Sequence, residues 1–350
     1  MHLSLRDDAL AALHHEEPRQ VPMYDIRFDD YIIQRLMGTT TPVEVKTEVE
    51  CLRKLGFSMI TAHPLDTGKR EVAEPQGRRS YIDEWGRQYI VINGMNFYAR
   101  GTFTETDLEE KNWDPFAEAR YRGIKEVLKI ASDFAVIGRV GGTFERALLA
   151  LGPTQFFTSL YDRPTFIRRL LKKINTYWIE VGKIEIELGV DAILLTDDLA
   201  YKSGPYLSPQ HMTDFIWPTF QERITAFRKV PVILHSDGNV TSLLDTIVEL
   251  GIKGLHSLEP TASMDIGKVK QQYGDKLILL GNIDCGWLLT HGSEQEVQET
   301  VRRTIAQAAP GGGYFLSTSN GVHRGVKISN LLAMCEACKK YGKYPINILK

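Results

Sequence analysis

Short apolar runs that stop abruptly at polar, ionisable residues recur eight times along this chain. They are residues 21–25 (VPMYD), 57–63 (FSMITAH), 134–141 (FAVIGRVG), 191–198 (DAILLTDD), 231–239 (PVILHSDGN), 254–259 (GLHSLE), 277–284 (LILLGNID) and 313–320 (GYFLSTSN). The runs are apolar on both faces, as expected of parallel strands covered on both sides. Segments of helical periodicity lie between them. Leu243, Leu244, Ile247, Val248 and Leu250 recur near a 3.6-residue period, and Gly251 stops them. In 294–309, Ser293 stands at the N-cap, acids fill the first turn, and Pro310 with the glycines after it ends the helix. Residues 165–189 read as a long amphipathic helix closed by Gly189. Alternating strand and helix predicts right-handed parallel crossovers. Eight such units predict a single (β/α)8 TIM barrel over residues 1–350, with a doubly wound open sheet as the runner-up. No G-x-G-x-x-G follows any strand, which weighs against the dinucleotide-binding form of the open sheet.

One segment breaks the rhythm. Residues 79–103 are rich in aromatic and β-branched side chains, with turn signals at Trp85–Gly86 and Asn93–Gly94. This predicts a β-hairpin insertion after the second strand. Such an insertion would lie over the barrel mouth, where enzymes of this architecture keep their sites. The strand ends are then expected to place Asp25, His63, Asp197, Asp198, His235, Asp237, Glu259, Asn282, Asp284 and Asn320 around one rim, with His323 just beyond it. Adjacent residues of an extended strand point to opposite sides. Asp198 is therefore assigned to the site and Asp197 to the structure.

Composition narrows the class without naming a chemistry. The chain is 43% hydrophobic and 25% charged, as in an ordinary globular protein. A net charge of −2 gives no basic footprint for nucleic acid. No apolar stretch approaches the roughly 18 residues of a membrane span. The N-terminal residues carry acids and lack the apolar core of a signal peptide. Four cysteines in 350 residues argue against a disulfide scaffold and for a reducing, cytoplasmic location. Cys335 and Cys338 fall one turn apart in an amphipathic pattern and read as buried thiols; Cys285, at the rim, is a remote metal-ligand candidate.

The stretches DDLAYKSGPYLSP (197–209), HSDGN (235–239), LEP (258–260), GNID (281–284) and the run from SNGVH (319–323) to KYGKYPI (340–346) resemble the uroporphyrinogen decarboxylase superfamily, and within it the corrinoid-dependent methyltransferase branch. The resemblance independently implies a (β/α)8 barrel. It departs from the decarboxylases proper, which carry an Arg-Gln-Ala-Gly-Arg run that grips the tetrapyrrole carboxylates. Here 18–31 reads PRQVPMYDIRFDDY, leaving only Arg19 and Arg27. A substrate with many carboxylates needs several guanidinium clamps. It departs also from the thiol-methylating branch, which holds zinc with His-x-Cys and a later Cys. The first pair is here His235-x-Asp237, and the late position falls near Asn320. Exchanging soft sulfur for hard oxygen points away from thiol activation.

What remains is similar to the O-demethylase branch, which moves methyl groups from ethers such as methoxylated aromatics to a cobalt corrinoid. No Asp-x-His-x-x-Gly cobalt-ligating motif is present, so a separate corrinoid protein is the expected partner, alongside a small-molecule methyl donor. The resemblance also suggests a homodimer. Cleaving the alkyl–oxygen bond needs a proton or a Lewis acid at the leaving oxygen. Two readings of His235 and Asp237 stay open. They bind Zn²⁺ with Glu259 as third ligand and one open position, or His235 is a proton donor supported by Asp237 or Glu259. Asp198, Asn282, Asn320 and His323 are expected to contact the substrate. Trp85, Tyr89 and Tyr98 offer faces for stacking on its ring, although hairpin packing is the commoner fate of such residues; Trp85 is assigned to the substrate. The rivals are a decarboxylase of a smaller carboxylated substrate and a non-catalytic ligand-binding barrel.

Overall fold

The computed structural model describes residues 4–73, 77–92 and 94–347. Strand β1 (Met59–Ala62) is followed by β2 (Arg70–Val72), β3 (Ser80–Ile82), β4 (Arg87–Ile92) and β5 (Met95–Gly101). Then come β6 (Ala135–Gly141), β7 (Ala192–Thr196), the short pair β8 (Ala200–Tyr201) and β9 (Gly204–Pro205), β10 (Val232–His235), β11 (Gly254–His256), β12 (Ile278–Ile283) and β13 (Tyr314–Thr318). Seven of them form one parallel sheet in chain order, β1-β6-β7-β10-β11-β12-β13, with helices in the crossovers.

The first apolar run, 21–25, does not make a regular ladder. Met23 forms a single parallel bridge with Leu316 of β13. Tyr24 N donates to Leu316 O at 3.0 Å, Leu316 N to Pro22 O at 2.9 Å, and Ser58 N, just ahead of β1, to Met23 O at 3.0 Å. One extended segment thus touches both edges of the sheet and holds it curled. Pro22 has no N–H to extend the pairing.

Alternation along the strands sorts the core into two layers. Met59, Ala135, Ile137, Ala192, Leu194, Ile233, Ile278, Leu280 and Phe315 cluster with Tyr24 on the concave side. Val136, Val140, Ile193, Leu195, Val232, Leu234 and Leu279 face the surrounding helices. The helix Leu5–Leu13 inserts Ala9, Ala12 and Leu13 into the concave cluster. Arg6 locks it there, bonding Phe134 O at 2.6 Å and gripping both Asp191 oxygens at 2.8 and 2.5 Å. Both partners precede their strands, so the helix closes the N-terminal end of the sheet and the polar strand ends collect at the other.

The segment expected as one hairpin is part of a larger unit. β2, β3, β4 and β5 pair antiparallel in that order as a four-stranded sheet between β1 and β6. β2 reads Arg-Glu-Val and gave no apolar alternation to find it by. Asn93, of the expected Asn93–Gly94 turn, lies outside the described residues; Gly94 has φ +75°. The sheet is anchored on two flanks of the mouth. Phe103 N donates to Ala150 O at 3.0 Å, and a Cβ on Gly94 would lie 3.2 Å from Arg324 Nη1.

Asp197 is the joint between β7 and the helix Phe144–Leu151. Fully buried, it accepts from Thr143 N (2.8 Å), Phe144 N (3.1 Å) and Glu145 N (2.8 Å). The approach is so close that a Cβ on Gly142 would sit 2.3 Å from Asp197 Oδ1. All four cysteines are buried free thiols. No helix among the described residues is long and apolar enough to cross a membrane. Asp197→Ala strands three buried donors and is expected to lower unfolding stability by roughly 2–4 kcal/mol, against less than about 1 for Asp198→Asn, read from urea denaturation.

Candidate active site

His235 ends β10 and, by alternation from Ile233, points to the concave side. Its backbone lies in register with Thr196 of β7 and with His256 of β11. The following turn brings carboxylates back over it. Asp237 N donates to Asp198 Oδ1 at 3.0 Å. Ser236 Oγ accepts from Leu199 N at 2.9 Å, tying the turn to the chain leaving β7. Gly238 is required here: its φ is +79°, and a Cβ would lie 2.5 Å from Ala200 O.

His235 Nε2 is 3.7 Å from Asp198 Oδ1 and 3.8 Å from Asp237 Oδ1. These are too long for hydrogen bonds. Among the described residues, Asp198, His235 and Asp237 offer ligand atoms all within 4.8 Å of one another. Ligands held about 2 Å from a tetrahedral zinc ion lie roughly 3.3–3.6 Å apart, so the spacing is close to that of a three-ligand site with a fourth position open. Ser257 Oγ holds Asp237 Oδ1 at 3.0 Å, and Asn320 Nδ2 donates to Oδ2.

The electrostatics fit a missing cation. Burial, then the neighbouring Asp198, pushes Asp237 up to about 8; burial lifts Asp198 to about 6, with Asp197 and Glu259 adding to it. The charged forms of both carboxyls are thus disfavoured, Arg139 offsetting part of the shift at Asp198, and a bound cation would favour them. Burial, then Arg139, pulls His235 down to about 3. The imidazolium required by the proton-donor reading is thus disfavoured, and the neutral ring that binds metals is favoured.

Behind His235 stands a residue that sequence reasoning missed. His256 Nδ1 lies 2.7 Å from His235 Nδ1, and His256 Nε2 lies 3.0 Å from Ser317 Oγ. His256 is fully buried, and its pKa is held well below the ordinary value by burial and then by His235. Two neutral rings share one proton between their Nδ1 atoms. When that proton sits on His235, its Nε2 lone pair is free toward the two aspartates. Tyr24 forms the floor, its ring meeting His256 edge-on and its hydroxyl 3.0 Å from Thr61 Oγ1. The signal for His256 was present: it lies two residues beyond Gly254, on the same face of a strand.

The other expected residues take varied places. Glu259 accepts from Gly238 N at 2.9 Å and from Thr261 Oγ1, bracing the turn outside the three-ligand group. Asn282 is buried and donates to Leu258 O at 2.9 Å. Asp284 caps the next turn through Gly286 N, Trp287 N and Leu288 N. His323 accepts from Gly325 N at Nδ1, so its Nε2 donates to Cys285 O at 3.1 Å. Cys285 Sγ lies beside Ser319 Oγ at 3.7 Å, not in the group. Asp25 is buried and accepts from Thr318 N at 3.2 Å. Trp85 corrects the stacking expectation. It is buried against Trp113, Tyr177 and Trp178, with the Arg146 guanidinium 5.0 Å from its ring, because it anchors the antiparallel sheet to the helix Pro164–Leu188. Tyr98 likewise spends its hydroxyl on Leu149 O at 2.9 Å, and Tyr89 stacks on Tyr81.

A curled parallel sheet with a His-Asp-Asp cluster at its strand ends defines an α/β scaffold with a metal-capable mouth. The chain belongs to the uroporphyrinogen decarboxylase (URO-D) family, whose pattern matches residues 102–341. It is 26% identical over 193 residues to a uroporphyrinogen decarboxylase of Coxiella burnetii, covering 54% of this chain and 52% of the relative. It is 24% identical over 222 residues to a methylated-thiol–coenzyme M methyltransferase of Methanosarcina mazei, covering 63% and 55%. The chain thus spans about half the length of the curated relatives it matches. Among solved structures, a methyltransferase from Methanosarcina mazei superposes with TM-score 0.74 at 18% identity, covering 97% of this chain and 99% of that one, which shows a shared fold.

If the cluster holds zinc, His235→Ala abolishes binding measured by calorimetry with Zn²⁺. His256→Leu, which removes only the outer partner, weakens it by about 10–100-fold. Equal affinities in wild type and His235→Ala would place any bound zinc elsewhere.

Proposed function

We propose that this protein is a methyltransferase that moves a methyl group from an O-methyl donor, most simply a methoxylated aromatic, to the cobalt of a corrinoid carried by a separate protein. We read the scaffold as a (β/α)8 barrel in which 21–25 acts as the first strand. The observation that carries the function is the donor set: Asp198, His235 and Asp237 converge with no cysteine among them. Nitrogen and oxygen ligands suit a cation that engages an ether oxygen better than one that must hold a thiolate. The kinship with a methyl-transferring relative supports the reaction class.

Zinc held by these three residues would supply Lewis acidity at the ether oxygen as the carbon–oxygen bond breaks and a cobalt–carbon bond forms. This chain's own work is orientation. His256 and Ser317 fix the plane of the His235 ring. Asp237 N holds Asp198, and Ser257 and Asn320 hold Asp237. In this reading the donor and the corrinoid would both approach from the strand-end side, where these three residues lie. The family's decarboxylases keep a second reading in view, decarboxylation of a smaller carboxylate, favoured by the Arg139 guanidinium near His235.

Mixed with zinc, cob(I)alamin and a panel of methoxylated arenes, the protein is expected to form methylcobalamin, followed by absorbance. His235→Ala is expected to slow this by roughly a thousandfold, the several kcal/mol that a Lewis acid contributes. Release of CO₂ from a carboxylated arene with no methylcobalamin would replace this reading by decarboxylation.

A further inference from the structure

β6 departs from the apolar pattern of its concave face at one position. Ala135 and Ile137 join the concave cluster, and the next side chain on that face is Arg139. Its backbone is in register with Leu194 of β7, another concave residue. Arginines in such walls ordinarily have a carboxylate partner, because desolvating the cation is costly. The Arg139 guanidinium makes no hydrogen bond or ion pair among the described residues. It is near enough to Glu145, Tyr24, Arg27 and Asp198 to feel their charge, and its own charge reaches His235 and His63. Burial lowers its pKa from the ordinary arginine value, and Glu145, Tyr24 and Asp198 offset only part of that. Arginine stays charged regardless.

The rim is bipolar. In spatial order, Arg27 follows the 21–25 segment, His63 follows β1, and Arg139 lies in β6; His63 feels both arginines. Next come Asp198 after β7, His235 with Asp237 at the end of β10, and Glu259 after β11. The arginines stand on one side of this mouth and the metal-capable cluster on the other, so the anionic end of an entering ligand is drawn toward the basic half. A donor with one anionic end is therefore oriented before any specific contact forms.

We infer that Arg139, supported by Arg27, binds a carboxylate of the methyl donor, so that the substrates are methoxylated arenes bearing a ring carboxylate. The guanidinium fork matches a carboxylate bidentately. A desolvated arginine also rejects the neutral isostere, which leaves it unpaired. The methoxy assignment rests on the methyl-transfer reading above, whereas the anion subsite rests on Arg139 itself.

The test is calorimetry with 3-methoxybenzoate and 3-methoxybenzamide, without corrinoid, on wild type, Arg139→Met and Arg139→Lys. Wild type is expected to bind the benzoate about tenfold or more tighter than the amide. Arg139→Met should lose that preference while holding the amide within about twofold, and Arg139→Lys should restore part of it. Should Arg139→Met fail to fold by circular dichroism, Arg139→Lys decides, through a selective loss of benzoate affinity. Equal binding of both probes to wild type, no binding of the benzoate, or a benzoate preference that survives at Arg139→Met overturns the inference. Methyl transfer separates the two claims. Tight, Arg139-dependent benzoate binding without methylcobalamin keeps the subsite and sinks the transfer reading. Methylcobalamin formed with equal kcat/KM from benzoate and amide does the reverse.

Discussion

The contact between His235 Nδ1 and His256 Nδ1, 2.7 Å long, organises this mouth. It exists because β10 and β11 pair in parallel with these two residues in register and both on the concave side. A shift of one residue in either strand would send one ring into the outer helical layer. Buried imidazoles are costly unless their nitrogens find partners. The pair meets that condition through each other and Ser317, leaving His235 Nε2 as the one ring nitrogen turned toward the carboxylates. A ligand-poised nitrogen on a rigid strand end thus follows from register and the need to satisfy buried polar atoms.

The acids around that nitrogen show how one strand end serves two purposes. Asp197 and Asp198 are adjacent, and the two-residue period splits them. Asp197 turns outward to cap a helix, while Asp198 turns inward beside His235. The inner carboxylates crowd because Gly238 lets the chain reverse tightly after Asp237. Among the described residues Asp198 accepts from the Asp237 N–H, and Asp237 from Ser257 and Asn320, none of them a charged donor. Burial, with the neighbouring carboxylates adding to it, therefore raises both pKa values.

The eight-fold recurrence of apolar runs was legible because period and punctuation act locally, and it located seven ladder strands and the bridging segment. His235, Asp237 and Asp198 were legible because they stand where apolar runs end. His256, at the end of β11, carried the same signal and was passed over, whereas Arg139 was not legible, because it sits inside a run that otherwise reads as core. Only the concave curvature of the assembled sheet converts an interior strand position into a site position. Trp85 failed for the complementary reason. An aromatic at a hairpin turn reads as a free stacking face, and nothing local reveals that Trp113, Tyr177 and Trp178 will cover it. Glu259 is subtler. It reaches the rim as expected, but Gly238 N and Thr261 are nearer partners than the His235 nitrogen.

The two ends of the curled sheet are unequal, and this inequality sets where chemistry can occur. At the N-terminal end the helix Leu5–Leu13 fills the concavity with alanine and leucine, fastened by Arg6 to Asp191. The antiparallel sheet is anchored away from that concavity, its bulky Trp85 buried against the helix Pro164–Leu188. At the other end an arginine on β6 stands across from carboxylates after β7 and β10. One plugged end and one end carrying charge of both signs leave the strand ends after β6, β7 and β10 as the face of this curled sheet where a small polar ligand can be both held and oriented.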